Sequence, residues 1–205
     1  MVYYVIEALK KKGWMQMAGR KTIVLGHCSR LTLFTSDQWC DLKDRIGDLP
    51  ISFVGLPTSD LFMMGRPSEP KEGSERVRGT LQIPQLIEEY QLQGTFGVNN
   101  VGNAFTPHGN CDPLSLASMC VGVYQAGTKR DAEVLYECIS TRAKAAIGRG
   151  NRNALKTEEG DEADFVLLNT DAHQGGRPKG TLQEMIYDPP RERSIIRRGH
   201  FVHVP

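Results

Sequence analysis

Two aliphatic, strand-forming runs end in side chains that can do chemistry: residues 22–29 (TIVLGHCS) place His27 and Cys28 at the end of one, and residues 95–100 (TFGVNN) place Asn99 and Asn100 at the end of another. An imidazole exchanges protons near neutral pH, and a pair of carboxamides donates and accepts hydrogen bonds. A histidine just past one strand and two amides just past another is how an α/β barrel presents groups at the C-terminal ends of its strands. A carboxylate at position 99 would serve as a metal ligand or general base. The amide has no protonation equilibrium to offer and substitutes poorly for either.

The elements that must position these groups follow from periodicity. Val2, Val5, Ile6 and Leu9 predict an amphipathic helix that opens the chain without a capping residue, a start that suggests something normally precedes it. Gly13 and Gly19 break it, and residues 21–26 read as a buried strand. Thr35 and Gln38 form a capping box for a helix with the stripe Trp39, Leu42 and Ile46, stopped at Gly47. Residues 51–56 predict a second strand closed by Pro57 and followed by a polar loop and a charged tract. A helix then uses Ile83, Leu86, Ile87 and Tyr90, with Pro84 in its first turn. Gly94 is expected to end it, and residues 95–98 to form the third strand. Asp112 is the candidate N-cap of a helix over 113–125, and a single further helix is expected over 131–147.

Strand and helix thus alternate three times at the spacing of βα units, which argues for parallel strands. After the turn-rich joint at 148–151 the grammar changes. Residues 163–169 and 194–204 read as strands without intervening helices, the latter a hairpin around Arg198 and Gly199. The expected division is residues 1–148 as an α/β unit and 149–205 as a small β appendage.

Composition limits the partners. The chain has 205 residues, and 25 basic against 24 acidic residues leave a net charge of +1, no field for nucleic acid or an anionic membrane. The five cysteines are odd in number and hold no C-x-x-C pair, which reads as reduced thiols in a cytoplasmic compartment. No apolar stretch reaches the length of a membrane span. Apolar residues precede Lys10, Lys11 and Lys12, the reverse of a signal peptide.

Taken in order, residues 26–29 (GHCS), 54–57 (VGLP) with Met64, Gly65 and Arg66, 97–101 (GVNNV), 103–110 (NAFTPHGN) and 160–168 (GDEADFVLL) resemble the C-terminal half of a cytosine-deaminase-like enzyme of the amidohydrolase superfamily. The resemblance implies strands six to eight of a TIM-type (β/α)8 barrel, followed by part of a composite β-sandwich. It implies a metal-dependent hydrolase acting on non-peptide C–N bonds, deaminating a cyclic amidine or amide with metal-activated water. His27 takes the position of the family histidine that exchanges protons with that water and the substrate. Asn99 stands where the family has a metal-binding aspartate, Asn100 beside it, and Phe105 where an aromatic covers the substrate. The family's H-x-H pair, its next histidine ligand and its catalytic glutamate belong to strands that this chain does not contain. The complete enzyme carries a divalent zinc or iron ion. No metal ligand can be named here, and a truncated chain inactive alone is the expectation.

Plainer readings stand beside these. His27 can be a hydrogen-bonded strand-end histidine, Asn99 and Asn100 turn residues, Cys28 a small apolar filler, Arg66 a solvated cation, Phe105 an aromatic that packs its loop, and the cluster from Arg191 to Arg198 a solvated basic face and charged hairpin edge. A non-catalytic, barrel-derived binding or assembly module is the second reading of the whole. A small doubly wound nucleotide-binding domain ranks third, because no glycine-rich phosphate loop directly follows a strand. Three strands of an eight-stranded barrel leave open edges, so self-association or pairing with a complementary barrel half is expected.

Overall fold

The computed structural model describes residues 1–17, 21–64, 79–150, 158–168 and 179–202. Arg66, Gly19 and the charged tract at 69–78 lie outside them, as do His173 and His203.

Helix α1 (Val2–Lys11) buries Ile6 and is followed by a short α2 (Trp14–Met17). Strand β1 (Ile23–Gly26) leads to α3 (Ser36–Ile46), whose N-terminus carries the reciprocal Thr35–Gln38 capping box and whose buried stripe is Trp39, Leu42 and Ile46. Strand β2 (Ile51–Gly55) is followed by α4 (Pro57–Met63), where a loop was expected. Pro57 does not simply close the strand. Its fixed φ and missing N–H suit the first position of a helix. Helix α5 (Ile83–Glu88) precedes β3 (Gln93–Phe96). Gly94 therefore lies inside the strand, and the chain turns earlier, at Gln91, whose φ is +55°.

Strands β1, β2 and β3 form one parallel sheet in sequence order. Ile23 pairs with Ile51, and Val54 with Thr95. One face, with Phe53, Gly55, Gly94 and Phe96, receives α5. The two glycines let α5 approach closely: a Cβ at Gly55 would stand 2.7 Å from Ile83 Cγ1, and one at Gly94 3.0 Å from Ile83 Cγ2. On the opposite face the Thr95 and Thr22 hydroxyls donate to the Cys138 and Ala146 carbonyls. Val24 on that face remains 44% exposed. β1 is thus half-exposed rather than the buried strand its sequence suggests, because among the described residues it has a neighbour on one side only.

Helix α6 (Pro113–Tyr124) starts at Asp112, whose carboxylate accepts from the Leu114 and Ser115 N–H groups. The single helix expected next is two, α7 (Lys129–Ile139) and α8 (Thr141–Ala146), broken at Ser140. The Ser140 hydroxyl donates to the Tyr136 carbonyl at 2.6 Å, and its backbone leaves the helical region.

A second, antiparallel sheet consists of β4 (Phe165–Leu168), β5 (Arg193–Arg197) and β6 (His200–Val202). Arg198 and Gly199 both have positive φ, the requirement of a type I′ hairpin. A helix, α9 (Leu182–Tyr187), intervenes where none was expected and buries Ile186 against α6 and α7. Apolar side chains stand exposed on both faces of this sheet: Phe165 and Phe201 on one, Val166, Ile195 and Val202 on the other. The architecture is a partial barrel-like parallel sheet plus a separate antiparallel layer of the kind found in a β-sandwich.

Arg193 of β5 does not belong to a solvated basic face. It donates to Asp112 at 2.6 Å and to the Pro190 carbonyl. Desolvation pushes the Asp112 carboxyl up, but hydrogen bonds from Arg193, Ser115 and the Leu114 N–H outweigh it and hold the group at about 2, below its ordinary 3.8. A depressed carboxyl stabilises the fold above its unfolded pKa, and that contribution is lost as pH falls from about 4 towards 2. Asp112→Asn is expected to cost about 1–2 kcal/mol at pH 7, with the difference from wild type shrinking towards pH 2 in denaturant titrations. Gly55→Ala is expected to cost about 1–3 kcal/mol through collision with Ile83. In a double-mutant cycle with Ile83→Ala the two losses should fall short of additivity by more than about 0.5 kcal/mol.

Candidate functional site

The C-terminal ends of β1, β2 and β3 lie side by side because the strands are parallel and in register, so the segments after them share one rim. His27 follows β1 at φ +61° and Cys28 follows at +45°, two consecutive left-handed residues. For side chains with a Cβ this backbone costs of order 1–3 kcal/mol each, and it turns the chain sharply as it leaves the strand.

The imidazole bridges two neighbours. Its Nδ1 lies 3.2 Å from Asp60 Oδ1, and its Nε2 lies 3.3 Å from Asn99 Nδ2. The His27 side chain is half-exposed, whereas Asp60 is buried to 3%. The second oxygen of Asp60 accepts the Thr80 hydroxyl at 2.9 Å, and Thr80 is itself buried. Behind them Tyr124 donates to the Leu81 carbonyl, and burial pushes its phenol far above the ordinary range. The result is a row of polar groups, Thr80, Asp60, His27 and Asn99, running from the interior to the rim.

The sequence places His27 and Asn99 here, and the structure brings them together. Asp60 and Thr80 escaped the sequence reading. The signal in the sequence is a polar triplet, Thr58, Ser59 and Asp60, directly after a buried strand, which reads as loop unless Pro57 is taken as the first residue of a helix.

Asn100 turns to its own loop. Its Oδ1 accepts from Asn103 Nδ2 at 3.1 Å, and Asn103 Oδ1 in turn accepts from the Phe105 and Thr106 N–H groups. Phe105 is exposed on this loop. His108 packs its ring on Phe62, with centroids 5.9 Å apart.

Among the described residues no three His, Cys, Asp or Glu side chains converge where a metal ion could sit. The donors at the rim do not fit one. Both nitrogens of His27 and both oxygens of Asp60 are engaged by protein partners, and Asn99 supplies an amide where a catalytic site wants about three good ligands.

Neither a protein-family model nor a curated protein sequence matches the chain. Solved structures do. A 5-methylcytosine deaminase from Klebsiella pneumoniae, liganded with 5-fluorocytosine, superposes with a TM-score of 0.69 at 16% identity, over 88% of this chain and 40% of that one. An N-isopropylammelide isopropylaminohydrolase from Burkholderia multivorans gives 0.68 at 19% identity, over 98% of this chain and 43% of the other. The likeness is one of fold. The chain spans about two fifths of the length of these structures. Among the described residues, no helix is long and apolar enough to cross a membrane.

Cys28 beside His27 is not poised as a nucleophile. Burial, and then the negative charge of Asp60, push its thiol above the ordinary value. Burial also raises Cys120, to about 12, and Cys138. With iodoacetamide at pH 8, Cys40 and Cys111, both exposed, are expected to be alkylated first. Cys28 should follow slowly, and Cys120 and Cys138 should react only on unfolding, as read by mass spectrometry. Preferential labelling of Cys28 would contradict this assignment.

Proposed function

We propose that this chain is the C-terminal part of an amidohydrolase-type hydrolase that acts on a C–N bond of a cyclic amide or amidine, with His27 handling the proton at the ligand. Asn99 offers the ligand a carboxamide, Asn100 holds the loop beside it, and Phe105 supplies an apolar cover. Residues 1–148 form the barrel part and 149–205 the sandwich part. The observation that carries the reading is the His27–Asn99 contact at the rim, in a fold shared with a 5-methylcytosine deaminase over most of the chain.

A complete enzyme of this kind uses a zinc or iron ion to activate water. The side chains here do not fit that ion, so turnover requires groups from outside the described residues. Its free thiols suit the reducing cytoplasm.

A second reading, a binding or assembly module, is favoured by one feature: the apolar side chains left exposed on the small sheet and on the open face of β1. A complementary barrel half or a second copy would cover them.

Elemental analysis, an ammonia-release assay with cytosine and 5-methylcytosine, and an NMR titration with the same compounds test both readings. Well under one zinc or iron per chain, no ammonia release, and shifts confined to His27, Asn99 and the 100–106 loop are expected. A full equivalent of metal with turnover would overturn the incomplete-site reading. A spectrum indifferent to both compounds would count against the cyclic-amidine reading and favour the assembly module.

A further inference from the structure

We propose that Asp60, braced by Thr80, is the positioning residue that fixes His27 in its Nδ1–H tautomer and so leaves the Nε2 lone pair as the reactive end of the ring at the rim. The inference concerns the ring itself and does not rest on the substrate class proposed above.

Donors and acceptors on either side of the ring select the tautomer. Oδ2 of Asp60 accepts the Thr80 hydroxyl, and Oδ1 lies 3.2 Å from His27 Nδ1. An ionised carboxylate accepts only, so the hydrogen between Oδ1 and Nδ1 belongs to the imidazole. From the opposite side Asn99 presents Nδ2, which donates only, at 3.3 Å from Nε2. With the amide so turned, that nitrogen carries a lone pair. The acceptor-only carboxylate selects this tautomer, and the Asn99 amide, turned with its NH2 to the ring, matches it.

The placement has a structural basis. Asp60 sits in the first turn of α4 and Thr80 precedes α5, so one oxygen of the carboxylate is held by a second segment that follows β2, while the imidazole arrives from the end of β1. Asp60 and Thr80 are both buried, which shields the pair from water and strengthens its directional preference. A carboxylate behind a histidine fixes which nitrogen is protonated and how the ring is oriented. The carboxylate partner of His27 thus comes from the end of the second strand. Position 99, after the third, contributes the amide that caps Nε2. A ligand N–H could displace the Asn99 amide and meet the same lone pair.

The tautomer is directly measurable. The full chain, labelled with 15N-histidine, is examined by long-range 1H–15N correlation at pH 8, with the exposed His108 and His200 as internal references. His27 is expected to show a protonated Nδ1 and an unprotonated Nε2, opposite to the form that free imidazole side chains prefer. In Asp60→Asn the amide can turn its NH2 to the ring, and the ratio of Nδ1–H to Nε2–H forms should fall by about tenfold or more. Asn99→Ala should leave the Nδ1–H form dominant, since Asp60 remains. This arm does not depend on the buried substitution folding. An Nε2–H ring in the wild type overturns the proposal, as does an unchanged ratio in Asp60→Asn. A ratio that collapses in Asn99→Ala would assign control of the ring to Asn99 instead.

Discussion

A carboxylate buried to 3% needs a hydrogen-bond partner for each oxygen, and Asp60 finds them in Thr80 and His27. That requirement ties three chain segments together at one end of the sheet. The parallel register brings the ends of β1 and β2 level, and the helix start at Pro57 lifts Asp60 to the height of the imidazole. Two left-handed residues, His27 and Cys28, then carry the ring off the strand. Were the carboxylate left without its partners, desolvation would cost more than the fold gains from burying it. Burial, and then the same charge, push the neighbouring Cys28 thiol above its ordinary value.

Much of this was legible in the sequence, for identifiable reasons. Capping residues act locally, so Thr35, Asp112 and Gly47 announced the helix ends they occupy. The stripe of Trp39, Leu42 and Ile46 declared its buried face because burial is what makes a helix amphipathic. What failed depended on neighbours. Gly94 reads as a helix stop until Ile83 is seen pressed against it, and Ser140 reads as mid-helix until its hydroxyl is seen bonded to the Tyr136 carbonyl. Arg193 reads as a surface cation because nothing local reveals Asp112, 81 positions away. The site divides the same way. His27 and Asn99 stand at strand ends that periodicity exposes. Asp60 and Thr80 become visible only when packing delivers them.

The two sheets share a condition. The parallel one offers α5 a glycine-lined face and leaves Val24 on its other side, and the antiparallel one holds aromatic and β-branched side chains on both faces. Layers of this kind are stable when something lies against them. In the longer structures that share the fold, this chain corresponds to about two fifths of the length.

The parallel register also dictates a timetable. Ile23 meets Ile51, and Ser52 meets Gln93, so each pairing must close a long loop before it returns any contact energy. The β5–β6 hairpin and the capped helices close over a few residues and can form first. During synthesis the Ile51–Gly55 segment finds β1 already made, but its other edge stays unpaired until residues beyond 90 have emerged. The third strand closes the longer of the two loops, and until it arrives the nascent polypeptide keeps an open edge that chaperones or its own kind can capture.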